Sequence, residues 1–270
     1  MKEIKTGGTP LNISKENIFL HRSHRKLPHV ALKTLFIEMG VLTLPFLLLI
    51  FFFYPELTLT ISTTACRLIA LAVPKEHLAI VQLSSYAKPL YGLVVPDRFP
   101  SLDFSIAVLV VSLLVTVISW GARQAAKPLG SWVAFICLIT SVSAAFFIIM
   151  PEKYPYTSGM FSGLYLQTML TVWLLIPVIL SLSLLPLPGG RRGKFLLILS
   201  TMAYSIVFGT VRFAFFMLVL YRYSLLFMPV MIFAVGPLLD FVFVVGFYSF
   251  YVSRISVKLK NSENIWQWLY

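Results

Sequence analysis

Apolar residues gather along this chain in long stretches. Six of them, beginning near Thr34, Phe104, Ser131, Gly163, Phe195 and Phe227, hold about 20 residues each, enough for a helix to cross a hydrocarbon layer about 30 Å thick. Inside such a layer every backbone N–H and C=O must find its partner within the segment, which a helix provides. The pattern therefore predicts an all-α integral membrane protein with about six transmembrane helices. The fifth stretch is long, running from Phe195 to about Leu220. The sixth contains Gly236-Pro237 in its outer half, which predicts a kink. Ahead of the fourth, Gly159 and Gly163 stand four apart with Ser158 and Ser162 beside them, a small-xxx-small spacing that lets another backbone approach closely.

The one long connection, residues 55–102, is too apolar to float in water. Leu57 to Val73 mixes aliphatic residues with Thr and Ser and ends at Pro74. Leu78 to Val95 contains Pro89 and ends in the turn-like Pro96-Asp97-Arg98. Such a loop is expected to lie on the membrane as one or two amphipathic pieces, or to dip between helices, and so to cap the bundle.

Composition agrees with the pattern: 59% of residues are hydrophobic and 12% charged. The net charge of +12 alone suggests nucleic acid, but its distribution argues against that partner. Fifteen of the 22 Lys and Arg residues fall on alternate connections. They are Lys2 to Lys33 before the first span, Arg123 and Lys127, Arg191, Arg192 and Lys194, and Arg254, Lys258 and Lys260 after the last. The six on the other side are nearly cancelled by Glu56, Glu76, Asp97, Asp103 and Glu152, and only Arg212 falls within a span. The positive-inside rule then places both termini in the cytoplasm and residues 55–102 outside.

The expected organisation is a basic cytoplasmic segment over residues 1–33, a transmembrane domain over 34–254 and a cytoplasmic tail over 255–270. Short connections between spans suit a bacterial inner membrane. The lipid bilayer is the partner this implies. The run His21-Arg22-Ser23-His24-Arg25-Lys26 reads as an orientation signal that also suits anionic headgroups. No second ligand cluster accompanies its histidines, so no metal and no cofactor is expected. The two cysteines make no disulfide framework. Cys137, in mid-span, reads as a packing residue. Cys66 sits in the outer loop beside Arg67 and reads first as a structural or incidental residue, with a reactive thiol as the alternative.

Three ionisable residues fall within spans. Glu38 lies five residues from Lys33 and can snorkel to the cytoplasmic interface. Arg212 stands among Phe208, Phe213, Phe215 and Phe216, where a guanidinium costs about 2.5–3.5 kcal/mol unless paired or hydrated. Asp240 lies on the next, antiparallel helix, about five residues or roughly 7 Å deeper. Two arrangements follow: a structural ion pair, or an arginine facing a hydrated pocket open to the outer surface, with Asp240 as its partner. The chain has no HExxH, Walker or Gly-x-Ser-x-Gly sequence. Glu56, Glu76, Asp97 and Asp103 read as solvated loop charges.

From about Tyr156 to Arg254 the chain resembles the exosortase/archaeosortase family of membrane sorting enzymes. Phe161-Ser162-Gly163-Leu164 stands where that family has Cys-Ser-Gly, and Gly190-Arg191-Arg192 stands at its basic turn. Gly209-Thr210-Val211-Arg212 stands at its Asn-x-x-Arg, and Ala234-Val235-Gly236 at the opening of its last helix. The resemblance implies cleavage of a target's C-terminal membrane tail by thiolate attack, with an arginine stabilising the oxyanion. Here Phe161 stands at the nucleophile, Gly209 at the asparagine and Ile232 at the expected His or Arg. Only Arg212 of the catalytic trio is present. The expected role is thus a non-catalytic assistant of a tail-sorting system, partnered by a sorting protease or a tail-anchored exported protein. Arg212, Asp240, Phe161, Ser162, Gly163, Gly209 and Gly236 would frame its pocket. Such a sorting-associated role predicts that Arg212 faces an outer-side pocket whose mouth is lined by Ser162 and Gly163. Arg212 facing lipid, or locked to Asp240 without a cavity, counts heavily against that role. Cys66 is the one thiol from the outer loop that stands as a replacement nucleophile. The alternatives are a small transporter or channel component using the Arg212–Asp240 pair, and an enzyme acting on lipid-linked glycans. The latter lacks an outward-facing acid or base.

Overall fold

The computed structural model of the protein describes residues 32–74, 77–83, 88–121, 127–187 and 190–259, with the two-residue strands Arg25–Lys26 and Gln267–Trp268. His21 to His24 of the basic run, Lys75, Glu76, Arg123 and Lys260 lie outside the described residues, as does most of the segments 1–33 and 255–270. Among the described residues, six helical spans are long and apolar enough to cross a membrane. Five are α1 (Leu32–Phe52), α3 (Leu102–Trp120), α4 (Lys127–Ile149), α5 (Ser158–Leu184) and α6 (Arg191–Arg222). The sixth, Leu225–Val257, passes through a short α7 (Met228–Val230) and a π-helical stretch, Met231–Val235, into α8 (Gly236–Leu259). The protein is mostly helical, as its apolar runs require. Helices α3 and α5 begin a few residues before those runs because a polar residue caps each. Ser101 Oγ accepts from Phe104 N–H at 3.3 Å, and Thr157 Oγ1 from Met160 N–H at 3.2 Å.

The segment 55–102 departs most from expectation. It opens as a helix, α2 (Tyr54–Ile69), separated from α1 by Phe53 alone. Helical hydrogen bonds continue across the junction, Phe53 N–H to Leu49 C=O at 3.0 Å and Leu57 N–H to Phe53 C=O at 2.8 Å. Pro55 has no N–H for the carbonyl of Phe51 one turn back. The Lys88 ammonium donates to that carbonyl and lies 4.1 Å from the centre of the Phe51 ring. A cation at freed carbonyls is favourable for the same reason that cations suit helix C-termini.

The rest of the segment forms an antiparallel hairpin, β1 (Ala79–Leu83) and β2 (Leu90–Val94), with Leu83 opposite Leu90 and Val81 opposite Gly92. The all-α expectation is corrected to that extent. Strand β2 lies against α2 and α5, with Leu90 and Leu93 fully buried. Its outer edge is covered by α2: Tyr91 N–H donates to Thr58 Oγ1 at 3.3 Å, and Ser62 Oγ donates to Tyr91 C=O at 2.8 Å. These two side chains remove an open backbone edge from an apolar surface. Asp97 is not a merely solvated charge. Its Oδ1 accepts from Ser158 N–H at 2.7 Å at the start of α5, where an anion is favoured.

Helices α5 and α6 form the centre, with Trp173, Phe161, Phe213 and Phe216 fully buried. Helix α1 is fastened to them by Thr43 Oγ1 donating to Ser181 Oγ at 2.8 Å and by a salt bridge from Lys194 to Glu38 at 2.9 Å. Glu38 therefore has a partner on a neighbouring helix instead of reaching alone for the interface. Helices α3 and α4 pack on each other through Ser112 and Ser141, whose hydroxyls are 2.6 Å apart. Ser143 of α4 then donates to Leu226 C=O at 2.7 Å. Cys137 is half-buried on α4. The strands Arg25–Lys26 and Gln267–Trp268 pair antiparallel.

Candidate functional site

The groups within the spans that chemistry must account for meet at one point between α5, α6 and α8. Helical spacing makes the meeting. On α5, Phe161, Tyr165 and Met169 recur every four residues and form one stripe. Arg212 on α6 reaches this stripe from one side and the kinked start of α8 from the other. The kink follows the Gly236-Pro237 pair predicted from sequence and the π-helical turn before it. Backbone angles at Gly236, φ −68° and ψ −90°, take its carbonyl out of the regular helical direction.

Arg212 donates through all three of its guanidinium nitrogens. Nε donates to Tyr165 Oη at 2.5 Å, Nη1 to Gly236 C=O at 2.8 Å and Nη2 to Asp240 Oδ2 at 2.9 Å. Arg212 is 5% exposed and Asp240 4%. The guanidinium carbon also lies 5.5 Å from the centre of the Phe208 ring and 5.7 Å from that of Tyr165. A carboxylate, a carbonyl, a phenol and two aromatic rings thus replace water around a charge that hydrocarbon alone would not tolerate. Beside the guanidinium lies a cavity of about 10 Å³, lined by Tyr165, Thr168, Met169, Arg212, Ile232, Gly236 and Asp240. That is close to the room needed for one water molecule.

Phe161 joins this centre through Tyr165. The two rings stack with centroids 5.9 Å apart, and Tyr165 stacks in turn on Phe213 at 5.7 Å and meets Phe216 edge-on at 5.2 Å. Phe161 itself is 1% exposed. Gly209, one turn before Arg212, allows α5 to come close: a Cβ there would stand 2.8 Å from Met169 Sδ. Phe161, Arg212 and Ile232 all border this centre directly or through Tyr165.

Ser162 and Gly163 face elsewhere. Gly163 receives the hairpin, since a Cβ on it would meet Leu83 Cδ1 at 3.3 Å and Leu90 Cδ2 at 3.8 Å. The small-xxx-small pair of α5 is therefore filled by strand side chains and not by another helix. Ser162 Oγ is fully buried, and it would lie 2.8 Å from a Cβ placed on Gly92. Cys66, half-buried on α2, is neither among the hydrogen-bond partners of Arg212 nor among the residues lining its cavity. Among the described residues, no three His, Cys, Asp or Glu side chains converge as metal ligands would.

Tyr165 was not singled out in the sequence, and Gly236 was singled out as a pocket position but not for its carbonyl. Tyr165 reads there as one more aromatic residue in an apolar helix, although its place four residues after Phe161 puts both on one face. The Gly236 carbonyl is visible in sequence only as a kink. No family model matches the chain, and neither a curated protein nor a solved structure does. The fold and site define a multi-span helical membrane protein with a buried arginine–aspartate pair at its centre.

Proposed function

We propose that this chain is an exosortase-like protein of the bacterial inner membrane that assists C-terminal-tail protein sorting without cleaving the tail itself. The observation that carries this reading is the state of the nucleophile position. Phe161 is a buried ring in an aromatic stack that ends on Arg212, and every guanidinium nitrogen of Arg212 already has an acceptor. No group is present there to attack a peptide bond, and a cavity of about 10 Å³ does not admit one. The same geometry counts against a tail-binding pocket at Arg212, because the guanidinium is locked to Asp240 and neither Ser162 nor Gly163 lines its cavity. In this reading, contact with a sorting protease or a tail-anchored exported protein falls to other surfaces. Both termini lie in the cytoplasm in this reading. The charge asymmetry of the connections and the pairing of Arg25–Lys26 with Gln267–Trp268 support that orientation.

The test is processing of a tail-anchored target, followed by immunoblot in cells carrying wild type, a deletion, Arg212→Ala or Cys66→Ala. Processing that falls on deletion and is unaffected by Cys66→Ala is the expected result. Cleavage that requires both Cys66 and Arg212 would make the protein an active enzyme and overturn the reading. The buried Arg212–Asp240 pair favours a second reading, a small transporter component, because intramembrane charge pairs often lie on ion pathways. Solute flux in reconstituted vesicles that disappears in Arg212→Ala would establish it.

A further inference from the structure

The start of α6 and the middle of α1 enclose a groove unrelated to the arginine–aspartate centre. Its volume is about 370 Å³, within the range of small-molecule sites, and it is lined by Val41, Leu42, Arg191, Arg192, Phe195 and Leu196. Two contacts hold its walls together. The Lys194–Glu38 salt bridge joins α6 to α1 at 2.9 Å, and the Phe195 ring packs on Phe46 with centroids 5.2 Å apart. The lining changes character within one turn of α6, from Arg191 and Arg192 to Phe195 and Leu196, which follow each arginine by four residues. The charge of Lys194 is matched by Glu38, so the excess positive charge at this end of α6 belongs to the two exposed arginines. Gly190, the N-cap, offers no side-chain acceptor to the first amides of the helix, and an anion there gains from both the amides and the helix dipole.

The groove is apolar throughout, with Arg191 and Arg192 lining it through their aliphatic stems while both residues are exposed beside a helix N-terminus, a combination that suits an amphiphile with an anionic head. We propose that this groove holds one anionic phospholipid of the adjoining leaflet. Its phosphate sits at Arg191 and Arg192, and an acyl chain runs along Val41, Leu42, Phe195 and Leu196. Arginine suits the headgroup because its planar fork matches phosphate oxygens. The bound lipid would fill a gap between α1 and α6 that their side chains leave open.

The full-length chain, delipidated in mild detergent, is titrated with phosphatidylglycerol, phosphatidylethanolamine or inorganic phosphate, and bound molecules are counted by native mass spectrometry. Wild type is expected to retain one phosphatidylglycerol in preference to phosphatidylethanolamine, and free phosphate is expected not to displace it. Replacing both arginines, Arg191→Gln with Arg192→Gln, should weaken that retention about tenfold or more. Val41→Trp fills the trough, keeps both arginines and lies on an exposed part of α1, so it separates lost binding from lost folding. It should weaken retention as well. Equal retention of the two lipids by wild type overturns the proposal, as does displacement by inorganic phosphate or unchanged retention in Val41→Trp.

Discussion

At the scale of single residues, the energetic centre is a charge that depends on its partners. Arg212 and Asp240 are each almost fully buried, and each satisfies the other at 2.9 Å. Breaking such a pair from one side leaves an uncompensated charge and costs about 3–5 kcal/mol, whereas replacing both partners with apolar side chains is often nearly neutral. Arg212→Ala is therefore expected to destabilise the protein by about that amount. Arg212→Met combined with Asp240→Leu should recover most of the loss. Thermal melting of the detergent-solubilised variants in a double-mutant cycle checks this, and a coupling energy near zero would show that the two residues do not act as a pair. The two partners were legible in the sequence because an ionisable group stands out in an apolar stretch and helical rise fixes its depth. Tyr165 and the Gly236 carbonyl were not, because a phenol among many aromatics and a backbone oxygen carry no mark of their own. Glu38 misled for a related reason. Its nearest cation along the chain is Lys33, but its partner Lys194 is set by helix packing.

At the scale of elements, the six spans could be read from length and hydrophobicity alone, and their capped starts nearly so. The hairpin could not. Ala79-Ile80-Val81-Gln82-Leu83 lacks a clean alternation of apolar and polar positions, and an apolar segment between membrane spans fits a surface helix as well as a strand. What selects the strand is tertiary: the glycines of α5 leave a depression that Leu83 and Leu90 fill, and Thr58 and Ser62 of α2 cover the edge of β2. Gly163→Val should therefore loosen the hairpin specifically, since the added carbons collide with Leu83. Overpacking of this kind costs about 1–3 kcal/mol. Limited proteolysis of the solubilised protein is expected to nick the hairpin of Gly163→Val sooner than that of wild type. Equal rates would mean that Leu83 finds another place without cost.

At the scale of the molecule, the proposed orientation draws on two observations of different kinds. The basic residues crowd alternate connections, and an even number of spans brings the chain back to the side on which it started. The antiparallel pairing of Arg25–Lys26 with Gln267–Trp268 agrees with the two ends sharing a side. Which side this is rests on charge alone, because cytoplasmic loops are enriched in Lys and Arg. The near-continuity of α1 and α2 makes this point worth testing. If α2 completed a separate crossing the count would become seven and the ends would part. Helix α2 instead carries Glu56 and Arg67, packs along α6 and turns into a hairpin seated on the start of α5. Alkaline phosphatase fused after Pro96 is therefore expected to be active in a bacterial host and inactive when fused at the C-terminus, with a C-terminal green fluorescent protein bright. Active phosphatase at the C-terminus would reverse the orientation, placing Arg191 and Arg192 in the outer leaflet and Phe161 toward the cytoplasm, where an exported tail would not meet it.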